Sequence, residues 1–396
     1  MCHDKIVYEP NTRTGVGGKI PVPLDFFFDV DMWAMLAKAT EKTQRPFLKR
    51  CIRKAGAILE MSNPGACLRG MVRKLLEGYC GCGPAFDEQR EDLVKLFSLI
   101  PGEDASSLER ALDSVEVFQK HNNALHKRDS GKLLYSTADV PEVFSDLGYE
   151  SMDYSSLASD KPTLLEFIAR CRFIEAVRSH TITREHIAPL IQRYSAELGE
   201  ASKLYEPCIN GFEFDVSVIS LLNVNLEQKK VVPLVVAKTL YQFQKARGQN
   251  ERGSSAHLIV DEAHNILSYS SQRESENWRD YRLETFEEIV KEGRKFGMYL
   301  TVCSQRPADI SPTILSQMHN YFIHRLVNDE DLRAISKAVS FIDGANASMI
   351  PLLTQGCCIV SGTATTYPVR VRVDPLELEK QPMSFDRDLA KAWGVE

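Results

Sequence analysis

No segment of this chain is apolar for long enough to cross a bilayer, and Met1-Cys2-His3-Asp4-Lys5 has neither the basic flank nor the apolar run that directs export. The longest uncharged stretch, Gly344 to Val369, is broken by Asn, Ser, Thr, Gln, Gly and two prolines, so it reads as loops and strands. A large excess of one charge is also lacking. The 48 Lys+Arg set against 54 Asp+Glu leave −6, and with 43% hydrophobic residues this excludes a disordered chain and weakens nonspecific coating of nucleic acid. Ten cysteines without a secretory signal are expected to be reduced thiols in the cytoplasm. Cys80-Gly81-Cys82, with Cys67, His121 and His126 nearby in sequence, lacks the Cys-x₂-Cys spacing of common zinc sites, so no metal is expected there.

A length of 396 residues suits two domains, or one core carrying a large insertion. Residues 1–28 read as an N-terminal loop segment. From 29 to 205 the pattern is helical: Phe47, Leu48, Cys51, Ile52, Ala55, Ile58 and Leu59 recur at helical spacing, similar runs follow at 93–99, 108–118 and 164–177, and strand signals are nearly absent. From 206 to 376 short β-branched runs alternate with helices, with strands expected at 214–219, 258–260, 300–303, 321–326, 357–360 and 369–373. Such alternation implies an α/β fold with a mostly parallel sheet, in which ligands sit beyond the carboxyl ends of the strands. Residues 377–396 read as a tail.

His257-Leu258-Ile259-Val260-Asp261-Glu262-Ala263-His264 is an apolar strand, expected to be buried, that ends in two carboxylates. Asp261 and Glu262 there suit a nucleotidase, where one carboxylate holds hydrated Mg²⁺ and the other orients the water that attacks the γ-phosphate. An ordinary strand ending in a polar turn is the structural alternative. After a polar linker at 268–280, a helix over 284–296 is expected to end at Gly297 in a left-handed cap, which places Arg294 and Lys295 at its carboxyl end, where cations favour the helix dipole. The next strand ends in Cys303-Ser304-Gln305-Arg306-Pro307. Its amide and guanidinium join the edge occupied by Asp261 and Glu262, unless Gln305 caps the helix after Pro312.

With these stretches in place the sequence resembles the ATPase core of the HerA family, in the HerA/FtsK group of RecA-like DNA translocases. The likeness runs through His257 to Asn265, Glu292 to Gly297, Ser304 to Ile310, Phe322 to Asn328, and Pro23 to Arg50 with its Glu41-Lys42-Thr43-Gln44-Arg45-Pro46. It implies a RecA-like P-loop NTPase core, use of ATP and Mg²⁺, a homo-oligomeric, hexameric ring acting on double-stranded DNA, and a nuclease partner of NurA type. Residue by residue, it implies a Walker B role for Asp261 and Glu262, a sensor role for Gln305, and an arginine finger at Arg294. Lys295 and Arg306 are further candidates at that interface. Arg325 and the Arg370/Arg372 pair either line it or alternate outward on strands.

The chain departs from the family at the phosphate cradle. It contains no Gly-x-x-x-x-Gly-Lys-Ser/Thr, and its nearest stretch, Arg13-Thr14-Gly15-Val16-Gly17-Gly18-Lys19-Ile20, has Arg and Ile at the wrong places and Pro21 where a helix should start. It reads as a flexible loop in a chain corresponding to the C-terminal two-thirds of such an enzyme, inactive by itself. A non-catalytic scaffold subunit of a nuclease complex is the alternative. A DEAH-box reading of Asp-Glu-Ala-His fails for want of a second RecA domain. Finally, Lys42, Arg45, Lys49 and Arg53 repeat at three, four and four residues on one helical face, which is either solvated or a nucleic-acid contact; without interleaved aromatics it does not suit base stacking.

Overall fold

A computed structural model describes residues 4–79, 86–102, 105–118, 124–130, 133–134, 143–144, 147–208, 211–212, 215–248, 255–269, 276–339, 344–377, 380 and 393. Cys80, Cys82 and His121 lie outside the described residues. The chain divides into two compact units, Met1–Thr239 and Leu240–Glu396. No helix among the described residues is long and apolar enough to cross a membrane.

The first unit begins as strand where a loop was expected. β1 (Lys5–Tyr8) pairs parallel with β7 (Val216–Ile219), and β2 (Ile20–Pro23) pairs parallel with β6 (Tyr205–Cys208). Between β1 and β2, the Arg13 and Thr14 amides both donate to Asn11 Oδ1, at 2.9 and 3.1 Å, so they are committed to a turn. A Cβ on Gly17 would lie 2.3 Å from the Glu9 carbonyl oxygen, so close backbone approach accounts for glycine there.

Helices fill the interval. They are α1 (Val30–Leu36), α2 (Gln44–Leu59), α3 (Pro64–Tyr79), α4 (Phe86–Phe97), α5 (Ala105–Asp113), α6 (Tyr154–Ser159), α7 (Lys161–Arg178) and α8 (Arg184–Leu204). Asp29 caps α1 by accepting from the Asp31 and Met32 amides. Trp33 is fully buried; its indole donates to the Phe26 carbonyl at 3.2 Å, and its ring packs against Phe26 and Tyr194. The apolar face read for α2 is buried at Phe47, Leu48, Cys51, Ile52, Ala55 and Ile58, and packs on α7. One expectation here is corrected. The helix read over 108–118 stops at Asp113, and β3 (Val115–Phe118), β4 (Ala124–Lys127) and β5 (Leu133–Leu134) form an antiparallel sheet. Val115-Glu116-Val117 alternates with period two, a signal hidden by the helical run before it.

α9 (Gln228–Gly248) carries the chain into the second unit. There β8 (Ala256–Val260) and β9 (Met298–Val302) pair parallel, with α10 (His264–Leu267) and α11 (Glu276–Glu292) between them in the chain. α12 (Pro312–Gln317), β10 (Asn320–Ile323), α13 (Asp329–Ala338), α14 (Gly344–Met349), β11 (Cys357–Gly362) and β12 (Val369–Arg372) complete it, with β10, β11 and β12 antiparallel. Ile323, Ile335, Val339, Ile350, Leu353, Cys357 and Ile359 form a core cluster. Two expectations change. The linker read over 268–280 gives way to α11 at Glu276, because Arg282, Phe286 and Ile289 supply a buried helical face. β8 is buried on one face only, since Val260 is buried while Ile259 is 67% exposed.

Glu197 on α8 provides a test of the first unit. Burial, then the nearby Glu227, pushes its carboxyl up from 4.5 to about 7. Between those values the folded chain holds a proton that the unfolded chain releases, so this contribution to stability is complete below pH 4.5 and is lost as pH rises through 7. Thermal melts should therefore find Glu197→Gln increasingly more stable than the parent as pH rises from 5 to 8; a constant difference between the two proteins would contradict this.

Candidate active site

The register of β8 with β9 brings two loops to one sheet edge. Val260 pairs with Val302, the Cys303 amide donates to the Val260 carbonyl at 2.9 Å, and the Ala263 amide donates to the Cys303 carbonyl at 2.8 Å. Asp261, Glu262, Ser304, Gln305 and Arg306 thus emerge side by side at the carboxyl ends of parallel strands. Glu262 adopts a left-handed backbone, φ 47°, and its amide donates to Asp261 Oδ1 at 2.9 Å. Gln305 Nε2 donates to Glu262 Oε1 at 2.9 Å. Gln305 therefore faces the second carboxylate; α12 begins after Ser311 without a side-chain cap.

Asp261 and Arg306 are exposed at this edge, and Arg306 Nη1 reaches Asp309 Oδ2 at 4.0 Å. The Cys303 thiol is pushed up by burial and by the Asp261 carboxylate. No group of three or more His, Cys, Asp or Glu among the described residues forms a ready metal cage. One exposed carboxylate with a hard oxygen donor fits Mg²⁺ held through water, with phosphate oxygens completing its shell, and Asp261 is the residue that would hold it. Glu262 is held by Gln305 beside it.

Sequence reasoning assigned no role to His264. Its Nδ1 lies 3.3 Å from Glu262 Oε2 and 3.3 Å from Ser304 Oγ. The histidine was visible in the octet, but only folding brings it to Ser304, forty residues on.

Arg294 and Lys295 lie elsewhere. They occupy a 3₁₀ turn, Gly293–Phe296, closed by Gly297 in the left-handed cap expected, with φ 74°. β9 starts immediately afterwards, so this turn is at the amino edge of the strand, a five-residue strand or about 16 Å from the edge carrying Asp261. Arg294 and Lys295 thus lie at the opposite edge of the strand pair from Asp261 in the same chain. Both are exposed, and Lys295 pairs with Glu292 at 3.7 Å. Gly293 is buried, and a Cβ there would lie 2.8 Å from the Met298 carbonyl oxygen, so glycine lets the turn fold onto β9 and present Arg294 outward.

The basic face of α2 is narrower than its spacing implies. Lys42 precedes the helix, and Arg45 is engaged by Glu41 at 2.7 Å and Asp31 at 2.8 Å, carboxylates that flank the acid-free run. Lys49, Arg50 and Arg53 are exposed. Arg370 and Arg372 are exposed on the edge strand β12, where they share a face with Ile359 and Cys357 across the β11 ladder. Arg325 is exposed just beyond β10.

Two parallel strands thus end together, one of them in an acidic pair, with the Gln305 amide from beyond the adjacent strand against the second carboxylate, the arrangement expected of a RecA-like core. The chain is similar in sequence to the HerA DNA double-strand break repair helicases. It is 26% identical over 181 residues to the DNA double-strand break repair helicase HerA of Sulfolobus acidocaldarius, a match covering 44% of this chain and 35% of the relative. With HerA of Saccharolobus solfataricus it shares 27% identity over 184 residues, covering 45% and 34%. With HerA of Pyrococcus furiosus it shares 33% over 116 residues, covering 29% and 20%. The match thus spans about a third of the length of the first two relatives. No family model matches the chain. Among solved structures, VirB4 of Thermoanaerobacter pseudethanolicus is similar with a TM-score of 0.43 and 15% identity, over 76% of this chain and 72% of that one.

Replacing Gly293 by Ala should destabilise the second unit by about 1–3 kcal/mol, because the new methyl meets backbone that cannot swing aside. A urea midpoint unchanged from the parent would show that the turn yields.

Proposed function

We propose that this chain is a subunit of a HerA-type ATPase: a cytoplasmic, ring-forming, ATP-dependent translocase or helicase acting on double-stranded DNA, in end processing or defence, alongside a nuclease partner. The observation that carries the proposal is the hydrogen bond from Gln305 to Glu262 beside Asp261 at a single strand edge. In this reading Asp261 holds the hydrated Mg²⁺ of bound ATP, Glu262 orients the attacking water, and Gln305 reports on the γ-phosphate and fixes Glu262 meanwhile. Bound Mg²⁺ supplies charge neutralisation at the phosphates. Arg294, at the opposite edge, serves the site of the neighbouring subunit, so hydrolysis depends on assembly of a ring, which we take to be a hexamer. The HerA relatives, named as repair helicases, support DNA as the substrate.

The phosphate-binding loop is the part that this chain does not carry, and the proposal has it contributed by protein outside these 396 residues. By itself the chain is then a poor ATPase. That same absence favours a second reading, in which the chain is a non-catalytic scaffold subunit that keeps the ring surface. Steady-state hydrolysis separates the two. With a phosphate-binding loop present in the assembly, ATP turnover should appear and Glu262→Gln should abolish it while nucleotide still binds; turnover indifferent to Glu262 would leave the scaffold reading.

For DNA, Lys49 and Arg53 are the candidate phosphate contacts, with Lys42 and Arg45 as weaker members of the set. Changing Lys49 and Arg53 together to Ala should weaken duplex binding for all sequences alike and lower the magnitude of the salt slope by about 2. Titrations at several salt concentrations giving the parental affinity and slope would remove α2 from the interface.

A further inference from the structure

The loop that follows β9 touches Glu262 twice. Gln305 does so directly through Oε1, while Ser304 does so indirectly, through the Nδ1 atom of His264 that also faces Glu262 Oε2. We infer that His264 is a positioning residue for Glu262, and that Ser304 competes with Glu262 for its Nδ1, so that the 304–306 loop controls how firmly the carboxylate is held. The inference rests on the catalytic role given to Glu262 above.

Three observations carry it. His264 is well anchored: it opens α10, whose Ile266 and Leu267 are buried, and the Leu267 amide closes on the Ala263 carbonyl at 2.7 Å. Its side chain is 17% exposed against 46% for Glu262, so the imidazole is the more enclosed member of the pair. Both polar neighbours approach the same nitrogen, each at 3.3 Å.

That last point decides the chemistry. A hydroxyl activated by histidine with a carboxylate behind it needs the two partners on different ring nitrogens, so this is not a nucleophilic triad. One nitrogen carries at most one proton. With the proton on Nδ1, His264 donates to Glu262 Oε2, and the carboxylate is held at both oxygens, by His264 and by Gln305. With the proton on Nε2 instead, Nδ1 can only accept, and it takes the Ser304 hydroxyl; Glu262 then keeps Gln305 alone. Ser304 is ready for the second arrangement, because its Oγ already accepts the Arg306 amide at 3.0 Å and its own proton is free to be donated. A shift of the 304–306 loop, which carries Gln305 and Arg306, therefore changes the hold on Glu262 through both contacts at once. A carboxylate whose rotamer is set in this way orients water better than one free to turn, while nucleotide affinity, set at the phosphates, is untouched.

Two measurements test this. In the chain itself, nitrogen NMR with ¹⁵N-labelled histidine, assigned by the signal lost in His264→Ala, should place the proton on Nδ1 and shift it toward Nε2 when Glu262 becomes Ala. An Nδ1 signal indifferent to loss of the carboxylate would overturn the inference, whatever the chain hydrolyses. In the assembly that turns over ATP, His264→Ala should lower kcat by about 10- to 100-fold, the usual scale for partners that orient a reacting group, with KM within about twofold of the parent. His264→Asn, whose amide can donate from nearly the Nδ1 position, should recover part of that loss. Parental kcat in His264→Ala beside a dead Glu262→Gln would also overturn the inference. If Glu262→Gln itself turned over normally, the catalytic reading of Glu262 would fall, and the NMR result alone would decide whether His264 positions the side chain.

Discussion

The in-register parallel pairing of β8 with β9 is the constraint on which the candidate site depends. Because Val260 lies opposite Val302, both strands end at the same level, and the residues after them leave the sheet together. A slip of one residue would turn every side chain of one strand to the other face. Two loop bonds, Cys303 to Val260 and Ala263 to Cys303, extend the ladder beyond the strands and lock the loops against each other. The contacts that cross from the 304–306 loop, Gln305 to Glu262 and Ser304 to His264, depend on that pairing.

Glu262 itself stores strain. A non-glycine residue at φ 47° costs on the order of 1–3 kcal/mol and persists only where its surroundings over-determine it. Here the surroundings are the Asp261 carboxylate on its amide, Gln305 on one oxygen and His264 beside the other. The strained turn aims Glu262 back across the loop toward Gln305, where an extended continuation of β8 would carry it away. Backbone strain and side-chain network are thus two halves of one arrangement.

The same strand pair also separates charged groups by edge. Its carboxyl edge gathers the acidic pair and the amide, while its amino edge carries the Gly293–Phe296 turn with Arg294 exposed. Groups on opposite edges of one strand cannot meet around one phosphate. The carboxylates and the outward arginine are therefore kept apart by the length of β9. Within this unit β8 is covered on one side only, with Val260 buried and Ile259 exposed, where a strand of an α/β sheet is ordinarily covered on both.

Much of this was legible in the residues alone. Helical spacing identified the buried face of α2, Gly297 marked the left-handed cap, and an apolar run ending in Asp261-Glu262 located the strand edge. These are local properties, carried by neighbours within a turn or two of each other. What escaped depended on distance in sequence or on competition between signals: β1 and β2 finding partners beyond the helices, the β3 alternation concealed behind a helical run, and Asp31 and Glu41 claiming Arg45. The sequence by itself determined which chemical groups the site possesses, since carboxylate, amide and guanidinium are properties of residues. Only the tertiary structure decided which of them meet, because Gln305 and Ser304 reach Glu262 and His264 across forty residues by strand pairing, and because the length of β9 keeps Arg294 away.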